Sequence, residues 1–325
     1  MGAFKWGVLA PGGIANSFAK GLAALDGAVP HAVASRDLGR AEAFAKAYGF
    51  AKAYGGYGDL VRDPDVDAIY IATRHPQHEE AMVACLEAGK PVLCEKPFTV
   101  NASQARRVVA LARSKGTFLM EAIWTRFLPS LRKVRELLAE GAIGEVRHVT
   151  ASFCFKAGVD PESRLFNPES AGGALLDVGI YTISLSSMAF GSAPSRIQSH
   201  MDIGSTGVDE TTNCLLSYGD GRNACLTSSI RLNMAQDAYI CGDSGSIALP
   251  GFWHGSKVIL SDADGRKEMD FPFESSGFQF EAAEVMACLG KGLKESPIIP
   301  LDETVSIMET MDRIRFDNHL RYPFE

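Results

Sequence analysis

Lys96 closes the run Val92-Leu93-Cys94-Glu95-Lys96-Pro97, which puts a charged pair at the C-terminal edge of a strand made of apolar residues. An ammonium in that position can hydrogen-bond a hydroxyl and stabilise the oxyanion that develops as a hydride leaves the carbon. Pro97 fixes the backbone beside it and is compatible with a cis bond that would aim Lys96 inward. Taken in isolation, the segment reads better as a surface lysine ion-paired with Glu95. Asp177 and Tyr181 form a second pair, four residues apart in a helical stretch and so on one face. Gly179 stands between them at a cost of about 1 kcal/mol in helix propensity relative to alanine, and a small residue there would let a ring approach the helix. Tyrosine is a poor base at neutral pH, with an unperturbed pKa of about 10. A lysine ammonium nearby favours the phenolate and makes the group a usable proton acceptor. The alternative is a packed aromatic with a locally paired Asp177.

These groups need a partner that holds a hydride, and the N-terminus offers a place for one. Ala10-Pro11-Gly12-Gly13-Ile14-Ala15 follows the first apolar run and opens a helix. Set against G-x-G-x-x-G/A, Ala10 replaces the first glycine, Gly12 is the second and Ala15 fills the third position. Gly12 would let the backbone approach a pyrophosphate, and the helix N-terminus offers unpaired N–H groups. An ordinary strand-to-helix turn would read the same way, and what favours a dinucleotide is the loop's place in the first strand–helix unit of an alternating chain. Where an NAD site carries Asp or Glu, the end of the second strand reads Ser35-Arg36-Asp37, with Arg40 one turn on. Ser35, Arg36 and Arg40 suit a 2′-phosphate, so NADP is expected, with NAD as the alternative. On the opposite reading the arginines are solvated and Asp37 is a helix N-cap.

Thr73-Arg74-His75-Pro76-Gln77-His78 follows the third apolar run. His75 and His78 lack nearby partners for a metal and are expected beside the cofactor, His75 against nicotinamide or ribose and His78 as a brace. No metal is expected. Trp124, Arg126 and Phe127 mark the junction to a second domain, where aromatic faces suit a sugar or arene ring. Arg147 and Arg164 are candidates to bind a polar substrate.

The elements that must position these residues follow from periodicity. Phe4–Ala10, Val29–Ser35, Ala68–Thr73, Val92–Glu95 and Phe118–Glu121 read as buried strands, alternating with helices that begin near Ile14, Leu38, Glu79 and Asn101. That alternation implies an α/β doubly wound parallel sheet. After Glu121 the pattern changes. Strands are expected at Val146–Phe155, Ile197–Ile203, Asn213–Tyr218, Ala224–Leu232, Ala238–Cys241 and Lys257–Ser261, with one long helix from about Ala174 to Ala189 and late helices at Gln279–Leu289 and Leu301–Arg315. This is an α+β domain with a large, open-faced, mainly antiparallel sheet. The expected division is a Rossmann domain over 1–122 and a substrate and dimerisation domain over 123–325.

Composition sets the outer limits. The chain has 325 residues, 46% hydrophobic and 22% charged, enough apolar material for two cores. Its net charge of −7 and lack of basic runs disfavour nucleic acid and anionic membrane as partners. No leader is evident at the N-terminus, and no stretch reads as the roughly 20 apolar residues of a membrane span. Seven cysteines, none in a Cys-x-x-Cys spacing, read as buried thiols of a reducing compartment, so a cytoplasmic location is expected.

Glu95-Lys96-Pro97, the altered glycine loop, the 73–78 loop, Glu121-Ala122-Ile123-Trp124-Thr125-Arg126-Phe127, Gly172-Gly173-Ala174-Leu175-Leu176-Asp177-Val178-Gly179-Ile180-Tyr181 and Lys294-Glu295-Ser296-Pro297 together resemble the Gfo/Idh/MocA oxidoreductase family over the whole chain. The resemblance is nearest to its dihydrodiol dehydrogenase and NADP-dependent sugar dehydrogenase branches. It implies a catalytic Lys96, with Asp177 and Tyr181 facing the substrate. It also implies a homodimer formed through the open sheet. Arg74 replaces the proline often found in that loop. The expected cofactor contacts are Gly12, Gly13, Ile14, Ala15, Ser35, Arg36, Arg40, Thr73, His75, His78, Glu95, Lys96, Trp124 and Arg126. The expected substrate contacts are Lys96, Phe127, Arg147, Arg164, Asp177 and Tyr181. The implied reaction is hydride transfer between NADP(H) and a secondary alcohol or lactol of a sugar, cyclic polyol or trans-dihydrodiol. Three other readings remain open: redox-assisted glycoside cleavage on a bound nicotinamide, a dinucleotide-binding protein without turnover, and a soluble α/β protein with no nicotinamide.

Overall fold

The computed structural model describes residues 2–325, and the chain divides into two compact units. The first unit comprises residues 2–99, 103–124 and 274–304; the second comprises 100–102, 125–273 and 305–325.

The first unit is built on β1 (Phe4–Leu9), β2 (Ala28–Ala34), β3 (Lys52–Tyr54), β4 (Ala68–Ile71), β5 (Val92–Glu95) and β6 (Leu119–Ala122). They form one parallel sheet in the order β3-β2-β1-β4-β5-β6. The order reverses between β1 and β4, and a crevice opens at the C-terminal ends of strands at such a point. The connecting helices are α1 (Gly13–Ala23), α2 (Leu38–Tyr48), α3 (Tyr57–Arg62), α4 (His78–Glu87) and α5 (Ala102–Lys115). β4, β5 and β6 are buried at every position, which is why they read as continuous apolar runs. Phe18 of α1 stacks on Tyr70 of β4 at 3.8 Å, and Trp6 of β1 meets Phe18 edge-on at 5.2 Å. All three are fully buried, each contributing roughly 2–3 kcal/mol by removal from water.

Residues 274–304 pack into this unit through α8 (Gln279–Gly290). Gly21 of α1 makes that approach possible, since a Cβ there would lie 2.8 Å from the Gln279 backbone nitrogen. A domain division at residue 122 therefore leaves out one late segment of the chain, because a helical pattern alone does not say which sheet the helix covers.

The second unit carries α6 (Pro129–Ala139) and an eight-stranded sheet of β7 (Val146–Cys154), β8 (Arg196–Ile203), β9 (Asp209–Gly219), β10 (Arg222–Ser229), β11 (Ala238–Gly242), β12 (Ser246–Leu249), β13 (Lys257–Asp262) and β14 (Gly265–Asp270). The order is β14-β13-β12-β11-β7-β10-β9-β8, antiparallel except where β7 pairs with β10. A widened helical turn at Leu175–Gly179 leads into α7 (Ile180–Phe190) on the inner face, and most of α9 (Leu301–Asp317) completes the unit. The stretch Pro168–Phe190 is long and apolar enough to cross a membrane by length and composition, contrary to the expectation from sequence. Its most apolar window is 78% buried inside the unit, as a core helix is.

The opposite face of this sheet is open. Positions alternate along β8, and Leu215, Cys225 and Tyr239 point outward. None of the seven cysteines is in a disulfide, and Cys85, Cys94, Cys154, Cys214 and Cys288 are buried.

Candidate active site

The crevice expected between β1 and β4 is a cleft of about 500 Å³ within the first unit. Its walls come from the turn after β1 (Ala10, Pro11, Gly12), the end of β2 with the start of α2 (Ser35, Arg36, Asp37, Arg40), Tyr57, and the loop after β4 (Ala72, Thr73, Arg74, Gln77). Gly12 and Gly13 face open space, with no atom within 4 Å of where a Cβ would stand. Ala10 has φ +68°, the left-handed conformation that the first glycine of such a loop supplies without strain. The Thr73 hydroxyl oxygen is buried without a hydrogen-bond partner and belongs to the cleft wall. A backbone loop open at two glycines, an orphaned hydroxyl and two arginines fit a phosphorylated dinucleotide.

Asp37 is the N-cap of α2: its carboxylate accepts from the Arg40 amide at 3.2 Å, and the Ser35 hydroxyl accepts from the Asp37 amide at 3.2 Å. The carboxylate at the end of β2 is thus engaged by α2, while Arg36 and Arg40 supply cationic groups to the cleft. Tyr57, Arg74 and Gln77 join the wall without having been expected there. Tyr57 opens α3 just past Gly55-Gly56, a turn signal that gives no hint of the cleft.

The remaining expected contacts of this unit lie outside that cleft. Ala15 is buried and Ile14 is 38% exposed. His78 is fully buried, with Nδ1 2.8 Å from the Pro97 carbonyl and Nε2 3.1 Å from the Thr73 carbonyl. Burial pushes its pKa below the ordinary value, against the pull of those carbonyls. It braces the 73–78 loop on the Lys96–Pro97 segment and does not face the cleft. The Lys96–Pro97 bond is cis. Glu95 accepts from the Lys96 amide at 3.1 Å and from the Tyr70 hydroxyl. Behind them lies Glu281 of α8, fully buried, both of its carboxyl oxygens without a hydrogen-bond partner. Burial and the Glu95 charge push its pKa well above the usual carboxylate range. Trp124 stacks on Phe278 at 5.1 Å.

His31, Asp63 and Asp65 bring ligand-type atoms within 4.8 Å of one another. The Lys52 ammonium stands on both carboxylates, 3.0 Å from Asp63 and 3.1 Å from Asp65. It compensates the charge a metal would otherwise answer.

In the second unit Asp177 and Tyr181 are both buried, 5% and 6% exposed. Arg164 donates to the Asp177 carboxylate at 2.7 Å. Gly179 faces the sheet: a Cβ would meet the Ser228 hydroxyl at 3.0 Å and a Leu175 methyl at 3.1 Å. Its smallness lets the helix pack on β10, which corrects the idea that it opens the helix to a ligand. Phe153 of β7 lies 5.4 Å from the Tyr181 ring and stacks on Trp253 at 4.6 Å. The Trp253 indole donates to the Gln236 side-chain oxygen Oε1 at 2.7 Å. This aromatic group was not foreseen; its only sequence signal is the Phe252-Trp253 pair between two glycines. Arg126 and Phe127 are buried, and Arg126 donates to the Ser184 carbonyl at 2.9 Å. Arg147 pairs with Glu145 at 2.8 Å at the start of β7, which gives it a local role instead of a place beside Tyr181.

Comparison with known proteins agrees with these two units. Residues 4–123 match the oxidoreductase family with an NAD-binding Rossmann fold, and residues 131–248 match the GFO/IDH/MocA C-terminal domain. The chain is 43% identical to trans-1,2-dihydrobenzene-1,2-diol dehydrogenase of Mus musculus, covering 96% of each chain. It is 40% identical to the Homo sapiens protein of the same name, again covering 96% of each. Among solved structures it resembles KijD10, a 3-ketoreductase from Actinomadura kijaniata in complex with NADP and TDP-benzene. That likeness has a TM-score of 0.83 at 27% identity, over 96% of this chain and 97% of the other. A parallel dinucleotide-type sheet, a large open-faced second sheet and relatives of this similarity over nearly their full length place the chain in the Gfo/Idh/MocA oxidoreductase family.

Proposed function

We propose that the protein transfers a hydride between NADP(H) and a secondary alcohol or lactol, with trans-dihydrodiols and cyclic sugars as the substrate class. The observation that carries this reading is the end of β2, where Arg36 and Arg40 line the cleft and Asp37, in the same wall, has its carboxylate engaged as the cap of α2. Two guanidinium groups there suit a 2′-phosphate, and a ribose diol would call for an acceptor. The named activities of the mouse and human relatives support a diol substrate.

NADP held in this cleft would supply the hydride acceptor or donor. Gly12 would admit its pyrophosphate, and the α1 N-terminus would offer it N–H groups. Lys96 hydrogen-bonds the reacting oxygen and stabilises its developing charge. Tyr181 exchanges the hydroxyl proton, and Asp177, held by Arg164, orients the substrate. Phe153 and Trp253 add apolar faces beside Tyr181 that suit an arene or pyranose ring. Initial rates with NADP and NAD across dihydrodiols, aldoses, inositols and anhydrosugars test the reading. Turnover confined to hydroxyl substrates and faster with NADP supports it; absence of turnover across the panel overturns it.

The protein works as a homodimer in the cytoplasm. Support for the dimer is the open sheet face, where Gln198, His200, Asn213, Leu215 and Cys225 line a shallow groove of about 420 Å³. Support for a reducing compartment is that all seven cysteines are thiols. Leu215→Arg should turn a dimer into a monomer in sedimentation.

A further inference from the structure

Asp209, the first residue of β9, is fully buried in the second unit. Its Oδ2 accepts from the Leu175 amide at 2.7 Å and from the Thr212 hydroxyl at 2.6 Å. Leu175 begins the widened turn that carries Asp177 and leads directly into Tyr181. The N–H groups of such a first turn have no partner within the helix, and a carboxylate is the strongest acceptor a protein can give them. The two glycines before the turn are shaped around this contact. A Cβ on Gly173, at φ +116°, would stand 2.1 Å from Asp209 Oδ1. A Cβ on Gly172 would strike the Arg164 and Leu165 carbonyls at 2.7 and 2.6 Å. Gly172-Gly173 is therefore the joint at which the Arg164 segment and the Asp209 carboxylate close on the start of the helix. Oδ1 itself is buried without a hydrogen-bond partner.

We propose that Asp209 is a positioning residue for the reaction: through the Leu175 amide its carboxylate fixes the turn that presents Asp177 and Tyr181, and so sets where those two side chains stand. This rests on the reading that Asp177 and Tyr181 meet the substrate. The hold weakens when the carboxylate takes a proton, since the bond to Leu175 then loses its charge. Burial pushes the Asp209 pKa up to about 7, against the pull of Thr212, the Leu175 amide, its own amide and Arg315. The other groups facing it are Cys214 on β9 and Tyr322 near the C-terminus. Burial and the Asp209 charge push Cys214 up to about 12 and Tyr322 well above its usual value. Arg315 stays cationic. Asp209 is thus the group of this set that titrates near neutrality.

The test is amide hydrogen exchange of residues 174–181 in the intact protein from pH 5.5 to 8.5, corrected for intrinsic rates, together with kcat profiles over the same range. Protection of that segment should rise about tenfold through pH 7, the change expected when one hydrogen bond gains a charge. Asp209→Asn should hold protection and kcat at the low-pH level across the range, with KM for NADP unchanged. Thr212→Val keeps the carboxylate and removes one donor, so the midpoint should move to higher pH. That variant decides the matter if Asp209→Asn fails to fold. Protection that is flat with pH in the native chain, or an Asp209→Asn variant that titrates like the native chain, overturns the proposal. Titrating protection without turnover on any alcohol supports the hold and overturns the dehydrogenase reading instead.

Discussion

Arg164 and Asp177 are joined by a 2.7 Å ion pair in which the carboxylate is 7% exposed and the guanidinium is 53% exposed. An arginine half in solvent holds a carboxylate that is not. Such a pair stabilises the fold little on its exposed side. It serves better to keep Asp177 aimed. Arg164→Gln should raise KM for the alcohol about tenfold at neutral pH, the equivalent of one charge-assisted hydrogen bond, with NADP affinity unchanged. Steady-state kinetics with a separate NADP titration distinguish the two effects. An equal loss in both would place Arg164 in the fold and not at the substrate.

Cofactor choice should reside in Arg36. Arg36 lines the cleft, and the neutral 2′-hydroxyl of NAD offers its guanidinium no anionic partner. Arg36→Ala should lower kcat/KM for NADP by roughly 10–100-fold, as expected for a lost hydrogen bond to phosphate, and leave that for NAD within a factor of about two. Parallel losses for both cofactors would remove Arg36 from the 2′-phosphate.

Ala10 occupies the left-handed region at φ +68° without being glycine. That conformation strains an L-residue by about 1–2 kcal/mol, partly offset by the extra freedom of an unfolded glycine. Ala10→Gly should therefore stabilise the protein by about 0.5–1 kcal/mol in urea denaturation and leave NADP affinity intact. Destabilisation by the same change would mean that the methyl group packs favourably enough to outweigh the strain.

Asp63 links β3 to the end of α3. Burial raises its pKa, but the Asp65 amide, the Lys52 ammonium and the Tyr54 hydroxyl overcome that and hold it at about 2. A carboxylate with a depressed folded-state pKa contributes stability above its unfolded pKa of about 3.9 and loses it as pH falls towards the folded value. Asp63→Asn should cost roughly 2 kcal/mol at pH 7, and the gap to the native chain should close between about pH 4 and about pH 2. Denaturant midpoints at pH 7, 4 and 3 measure this. A gap independent of pH would assign the loss to packing.

Much of the first unit is legible because buried parallel strands leave little choice of residue. Ala68–Ile71 and Val92–Glu95 announce themselves as apolar runs, and the ribose rule then leads to Ser35, Arg36 and Arg40. Tyr57 and Gln77 join the same cleft through tertiary placement that no local pattern records. The return of α8 to the first unit is silent for the same reason, since its partner Gly21 lies more than 250 residues earlier. β14 escapes notice because Gly265-Arg-Lys-Glu-Met-Asp270 is an exposed edge strand, where charges discourage further pairing. Gly179 is visible as a helix-weakening residue, but only the structure shows it turned to Ser228. Asp209 sits in an ordinary strand start, and its role exists only through Leu175, 34 residues away.

The central claim is that Lys96, at the end of β5, acts on the reacting oxygen. The direct measurement is turnover of Lys96→Met with its best alcohol substrate, beside NADP binding by fluorescence titration. The account predicts unchanged NADP affinity and a kcat lowered by roughly 10²–10⁴-fold, the range for losing a positioned acid–base or oxyanion-stabilising group. Turnover that survives the substitution largely intact would contradict it.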